Sequence, residues 1–280
     1  MEDATEFQYR VPWRAASWYP GSHLSVQRGG GYEIHRIEPL YIAGDPRRVD
    51  VRASLRDPFG QLLVRIYKQR SVVPVFVLAD VSASMSFVGN TRKYDLLVDF
   101  VNSLAYSAYR VGDPFAFTAC DTVIRDELSL PLTRARGAGT LISERLRRWT
   151  PSGADATGLL EGAEQLPEAR ALVFLVSDFH LPVELLRKIL GCLCRLAVVP
   201  VVLVDSAEDR IPGVGITHLY DPETKARRTI LLRRTLARRL EKALRQHREQ
   251  ISKCLADYDL RPLYLIDRFE PEVVSRYFYE

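Results

Sequence analysis

V-V-P-V-F-V-L-A-D-V-S-A-S-M, residues 72–85, runs apolar from Val75 to Ala79 and then turns polar at Asp80, Ser82 and Ser84. An unbroken run of Val, Phe and Leu reads as a strand buried on both faces, which is the mark of a parallel sheet covered by helices. The polar cluster therefore stands at the strand's carboxyl end, where an open α/β sheet forms its ligand crevice. One carboxylate and two hydroxyls are hard oxygen donors of low total charge, a set suited to Mg²⁺ rather than to a calcium cage. The same residue types are also ordinary helix-cap and turn chemistry. The spacing alone leaves both readings open. A second apolar run, Ala171 to Val176, ends in the same manner at Ser177 and Asp178.

The remaining pattern extends that architecture along the chain. Lys93 to Ala108 carries Leu96, Leu97, Phe100, Val101, Leu104 and Ala108 at helical spacing, so a helix with one buried stripe is predicted. Phe115 to Cys120 reads as a strand, with Ile124 to Leu132 pairing to it across an Asp121-Thr122 turn. A short helix ends near Trp149, another runs to Leu166 and a third spans Pro182 to about Cys194, with Pro in its first turn. Ala197 to Val204 is a further buried strand, in which Pro200 suggests a bulge. A hairpin is predicted near 216–230, then a long helix over 231–258, a strand over 261–266 and a helix from Pro271. This alternation predicts an α/β protein with a doubly wound, mostly parallel, Rossmann-like sheet in residues 71–280. Residues 1–70 lack a long helical period and hold turn signals such as Pro20-Gly21 and Gly29-Gly30-Gly31, so an irregular β-containing segment packed on the main domain is expected.

Composition bounds the class. The 280 residues are 47% hydrophobic, enough for a sizeable core. Lys and Arg number 39 against 35 Asp and Glu, and a net charge of +4 does not by itself select a nucleic-acid partner. No apolar run reaches the 18 or so residues that cross a bilayer, and M-E-D-A-T-E-F is acidic where a signal peptide is basic. A cytoplasmic protein without a membrane partner is the expectation. Cys120, Cys192, Cys194 and Cys254 show no C-x-x-C spacing and read as small thiols of a reducing compartment.

D-V-S-A-S-M together with the later L-V-S-D-F resembles the metal-ion-dependent adhesion site of von Willebrand factor A (vWA) domains. The flanking segments resemble, more specifically, the domain-of-unknown-function-58 family, bacterial proteins often encoded beside MoxR-type AAA+ ATPases. Those segments are G-S-H-L-S-V-Q-R-G-G-G-Y-E from Gly21, Y-I-A-G-D-P-R-R-V-D from Tyr41, V-G-D-P-F-A-F from Val111 and L-Y-D-P-E-T from Leu219. The resemblance implies a vWA-like fold in which Ser82 and Ser84 bind Mg²⁺ directly while Asp80 and Asp178 hold it through waters. One open position would then take an Asp or Glu carboxylate from a partner protein. Relatives supply a Thr from a Gly-Gly-Thr loop at the position of Ala154, which cannot coordinate. Asp155 and Thr157 are the residues left to stand in, and Asp155 reads equally as a helix N-cap. In the segment from Tyr41 the family's second acid is Pro46 here, and its Trp is Val51. Arg47 and Arg48 therefore read either as contacts to an acidic partner or as anchors against Asp45, Asp50 or Asp57.

The function implied is that of a non-enzymatic, metal-dependent protein-binding module. It would be an adaptor or co-chaperone acting with a MoxR-type AAA+ ATPase in maturation of a client protein or complex, with Arg47, Arg48 and His180 expected at the partner surface. Two other classes compete. The arginines of the helix over 231–258 suit a polyanion such as nucleic acid, although Glu241 and Glu249 interrupt them and no reader motif accompanies them. A Mg-dependent hydrolase would use His180 as base beside the ion. G-x-x-x-x-G-K-[ST], G-x-S-x-G and H-E-x-x-H are all missing, which leaves no nucleotide cradle, activated serine or zinc pair to support an enzyme.

Overall fold

The computed structural model describes residues 5–11, 20–43, 46–151, 153–168, 170–208, 215–220, 227–232 and 234–280. Two compact units divide the chain, one holding Met1–Arg10 with Pro74–Glu280 and the other Val11–Val73.

In the smaller unit β1 (Pro20–Pro39) pairs antiparallel with β2 (Leu63–Ser71) through several register shifts, and the short helices α1 (Leu40–Ala43) and α2 (Val51–Leu55) lie between them in the chain. β1 is long and irregular where short strands are expected. Asp50 caps α2 by accepting the Ala53 N–H at 3.1 Å, and its other oxygen takes the Arg65 Nε at 2.6 Å. Arg65 is thus a cation on Asp50. Arg47 and Arg48 close the 3₁₀ turn Pro46–Arg48.

The larger unit is built on a six-stranded sheet. In chain order its elements are β3 (Val75–Asp80), α3 (Lys93–Val111), β4 (Phe115–Cys120), β5 (Leu130–Thr133), α4 (Ala138–Arg148), α5 (Gly158–Glu164), β6 (Leu172–Ser177), α6 (Val183–Leu193) and β7 (Ala197–Val204). The hairpin strands β8 (Gly215–Tyr220) and β9 (Arg227–Leu232) follow, then α7 (Arg234–Asp257), β10 (Leu263–Ile266) and α8 (Pro271–Tyr279). Across the main sheet the order is β5-β4-β3-β6-β7-β10, parallel throughout except for β5. The chain runs outward from β3 to one edge, returns beside β3 as β6 and continues to the other edge. That reversal makes the β3/β6 boundary the switch point of a doubly wound, vWA-like sheet.

Both faces are buried, as the unbroken apolar strands require. On one face Phe76, Leu78, Val173 and Leu175 pack against Leu159 and Ala163 of α5, Leu186, Ile189 and Leu190 of α6, and Ile251 and Leu255 of α7. The other face holds an aromatic cluster. Phe100 of α3 stacks on Phe7 at 6.1 Å and meets Phe174 of β6 edge-on at 5.6 Å, while Phe174 meets Phe278 of α8 at 6.2 Å. Each such side chain removed from water stabilises the fold by about 1.5–3 kcal/mol.

Three expectations need correction. The strand over 124–132 forms only at Leu130–Thr133, because the buried Asp121 carboxylate gathers the Val123 N–H at 3.2 Å and the Arg125 Nε at 2.9 Å and tightens 121–125 into a turn. Pro200 causes no bulge, since it stays in register opposite Leu175. Ala197 donates its N–H to Ala171 beside β6, so by alternation the nitrogen of Pro200 faces the other flank, where pairing with β10 begins only at Val201. The long helix starts at Arg234 because Leu231 and Leu232 belong to β9. Only Ile251, Cys254 and Leu255 of α7 are buried, and Glu241 pairs with Arg245 at 3.6 Å on its exposed side. Among the described residues no helix is long and apolar enough to cross a membrane.

Candidate functional site

Each of the five parallel strands delivers an aspartate at its carboxyl end: Asp80, Asp121, Asp178, Asp205 and Asp267. Four of them serve the loops. Asp205 accepts the N–H groups of Gly89, Asn90, Thr91 and Ala207 at 2.8–3.2 Å, so one carboxylate folds the loop that leads into α3. Burial would raise its pKa, but these donors hold it below the usual aspartate value. Asp267 takes the N–H and hydroxyl of Ser206, both at 2.7 Å. Asp80 accepts the Ser82 N–H at 2.9 Å on one oxygen and the Ser177 hydroxyl at 2.8 Å on the other.

Asp178 has a different set of partners. Its Oδ2 lies 2.6 Å from the Lys93 Nζ and 3.1 Å from the His180 Nδ1, while Oδ1 accepts the His180 N–H at 3.1 Å. The Lys93 ammonium also lies 2.6 Å from Glu208 Oε1. The Lys93 and Asp178 side chains are each 1% exposed and that of Glu208 is 14% exposed, so this is a buried ion-pair network. Burial would raise the Asp178 carboxyl, yet His180 and Lys93 together hold it well below the usual range. His180 is raised by its bond to Asp178 against the opposing effect of burial. Asp80, with burial as the main cause and the Asp178 charge as the second, is pushed up to about 6. The backbone supports the cluster at Phe179, which takes a φ of 56° and is held by its N–H to Ser177 Oγ at 2.9 Å and by its carbonyl 3.1 Å from His247 Nε2. A left-handed conformation is costly for a bulky residue and persists here under those contacts.

The predicted site residues divide in two. Asp80, Ser82, Ser84 and Asp178 do meet at the switch point, and the Ser82 and Ser84 hydroxyls lie 3.2 Å apart. Asp155 and Thr157 are exposed and bonded to each other, the Thr157 hydroxyl donating to Asp155 at 2.6 Å and its N–H at 3.0 Å. Asp155 thus shapes the turn into α5 by its side chain. Gly153, not Ala154, touches the cluster: its carbonyl accepts the Ala83 N–H at 2.9 Å, and a Cβ there would fall 2.4 Å from that of Asp121. Arg47 and Arg48 lie in the other unit.

Lys93 and Glu208 are the members that sequence reasoning misses. A signal for Lys93 exists, since a lysine as the first residue of a helix opposes the positive end of the helix dipole by about 0.3–1 kcal/mol. Such a placement asks for a nearby anion. Glu208 offers no comparable signal, because it follows β7 among loop residues.

Asp178, His180 and Glu208 present ligand atoms within 4.8 Å of one another, a grouping able to hold a metal ion. The hydroxyl pair of Ser82 and Ser84 also suits Mg²⁺. The Lys93 ammonium, however, already bridges Asp178 and Glu208. An ion of charge two within ~4 Å of it would meet about 8 kcal/mol of repulsion at an effective dielectric constant of ~20, set against an attraction of similar size to each carboxylate it touched. A metal at this grouping would therefore have to displace Lys93 from Asp178 and Glu208.

The cluster opens onto a cavity of about 270 Å³ at the carboxyl ends of β6, β7 and β10. Asp178, His180 and Glu208 form one side of it, and Phe179, Val202, Ile251, Leu255, Tyr264 and Ile266 are among the residues that line the rest. Such a site accommodates a charged group carried on an apolar stem.

Comparison with known proteins gives a family and several structural likenesses. The family described as "Protein of unknown function DUF58" matches residues 40–250. The chain is 38% identical over 102 residues to the "Uncharacterized protein in moxR 3'region" of Paracoccus denitrificans, a match covering 36% of this chain and 97% of that protein. A solved "von Willebrand factor type A from Catenulispora acidiphila" is 14% identical with a TM-score of 0.39, over 76% of this chain and 42% of that one. The mussel byssus proximal thread matrix protein 1 "with zinc occupied MIDAS motif" is 16% identical with a TM-score of 0.38, over 74% of this chain and 46% of that one. The chain therefore spans less than half the length of these two solved structures. The fold assignment rests on strand order and direction.

Proposed function

The chain belongs to the DUF58 family, and from that membership together with the strand-end cluster we propose that it is a non-enzymatic protein-binding module of the cytoplasm. In this reading it acts as an adaptor or co-chaperone with a MoxR-type AAA+ ATPase in maturation of a client. Modules of the vWA fold bind other proteins, and the relative's name places it beside a moxR gene. The observation that carries the reading is a buried ammonium, Lys93, with the more exposed His180 on the same carboxylate, at the switch point and beside an apolar cavity. A partner's Asp or Glu would bring its carboxylate to that cation while the side chain's apolar stem enters the cavity. Asp178 is committed to Lys93 and His180, so in this reading the partner's carboxylate meets that ammonium and not a Mg²⁺ ion.

The test is co-purification with a co-expressed MoxR-type ATPase. Retention by the wild type and its loss in His180→Ala, with circular dichroism unchanged, supports the reading. Absence of any association refutes it. So does phosphatase or nuclease turnover in Mg²⁺ that vanishes in Asp178→Ala.

A further inference from the structure

We propose that the cation at the centre of this site is the Lys93 ammonium, supplied covalently by the first residue of α3 in place of a divalent metal, and that Glu208 is the internal carboxylate occupying the position an incoming acid takes. Three observations place it there. Lys93 is completely enclosed and sits 2.6 Å from each of two carboxylates contributed by different strand ends. Its Nζ also lies 5.7 Å from the centroid of the Phe87 ring, so the stem is held from a third side. The loop before α5 reaches the cluster through the Gly153 backbone, which brings no side-chain donor to it.

An ammonium and a divalent metal make different demands. An ion such as Mg²⁺ needs near-octahedral oxygen donors at about 2.1 Å and keeps several waters. The ammonium needs only three acceptors and stays in place when solvent exchanges. Of its two carboxylate partners, Asp178 is buried at the end of β6, while Glu208 lies in the loop after β7, is the more exposed and lines the cavity. Glu208 is therefore the partner that can leave. An acid entering through the cavity exchanges one carboxylate for another on the same cation, with no change in the site's charge.

The statement about the cation stands by itself, whereas its consequence for partner capture rests on the function proposed above. Calorimetric titration of the wild type with MgCl₂ and MnCl₂ into the millimolar range is expected to give no saturable heat. Saturable one-to-one uptake that disappears in Asp80→Asn would overturn the proposal. Lys93→Ser frees two acids, so Mn²⁺ is expected to raise the midpoint of its thermal unfolding by roughly 5 °C or more at a hundredfold excess over Kd and to leave the wild type unmoved. An equal rise in both would count against Lys93, and the wild-type titration decides the matter even where Lys93→Ser does not fold. In co-purification, capture that survives chelator, fails in Lys93→Ser and strengthens in Glu208→Gln supports the exchange. Capture abolished by chelator refutes the tethered cation while leaving the binding function intact. Capture that is missing throughout refutes the binding function, and calorimetry still judges the cation.

Discussion

Replacing Asp80 by Asn tests the electrostatics of the site most directly. Asp80 is 2% exposed and shares the switch point with Asp178, so its carboxyl is pushed up to about 6, from burial first and the neighbouring charge second. In the unfolded chain it titrates near 3.8. The folded protein therefore holds this proton more tightly. The associated stability is fully present below the unfolded value and is lost as pH rises through about 6. Each pH unit between the two values is worth about 1.4 kcal/mol, so the loss on going to neutral pH is about 3 kcal/mol. Asn carries no charge and keeps an acceptor for the Ser82 N–H. Its amide cannot accept the Ser177 hydroxyl in place of the second oxygen, which costs about 1 kcal/mol. Asp80→Asn is expected to be slightly less stable than the wild type at pH 4 and more stable by about 2 kcal/mol at pH 7.5. Urea denaturation of both proteins at the two pH values measures this as a difference of differences, in which the titrations of Asp178 and His180 largely cancel. A variant that is less stable at pH 7.5 by as much as at pH 4 or more would show that Asp80 is ionised and held by a cation, and the reasoning would fail.

Three further outcomes follow from the packing. Gly89→Ala places a Cβ 2.5 Å from that of Ala207 and 2.6 Å from the Asp205 carboxylate, so the loop ahead of α3 must move; a loss of about 1–3 kcal/mol is expected by chemical denaturation, and an unchanged midpoint would refute the tight fit. Phe100→Ala removes the ring that links Phe7 and Phe174 and is expected to cost about 3–5 kcal/mol, the largest effect among these substitutions. Arg125→Met strips the guanidinium from the buried Asp121 and its stacking at 5.5 Å over Trp149. Because the Val123 N–H still serves that carboxylate, the expected loss is about 2 kcal/mol, read as a drop in urea midpoint that the second change Asp121→Asn partly restores.

Much of the architecture was legible from periodicity. Apolar runs such as Val75–Ala79, Leu172–Val176 and Val198–Leu203 carry their own evidence of burial on two faces, and the alternating helices require a parallel sheet. The meeting of Asp80 with Ser177 and Asp178 followed from strand ends facing a common edge. Local chemistry misled where a side chain acted at a distance. Asp121 turned a predicted strand into a loop through Arg125, and Asp155 served its own turn instead of the cluster.

The primary sequence by itself determined which segments are buried and which strand ends carry oxygen donors, because those properties depend on residue type and spacing along one segment. Only the tertiary structure decided what sits between the donors. Lys93 and Asp178 are 85 positions apart in the chain, yet their charged atoms meet at 2.6 Å. No local pattern records such a contact. A buried charge is settled by whichever opposite charge the fold brings to it, and here α3 brings Lys93 to Asp178.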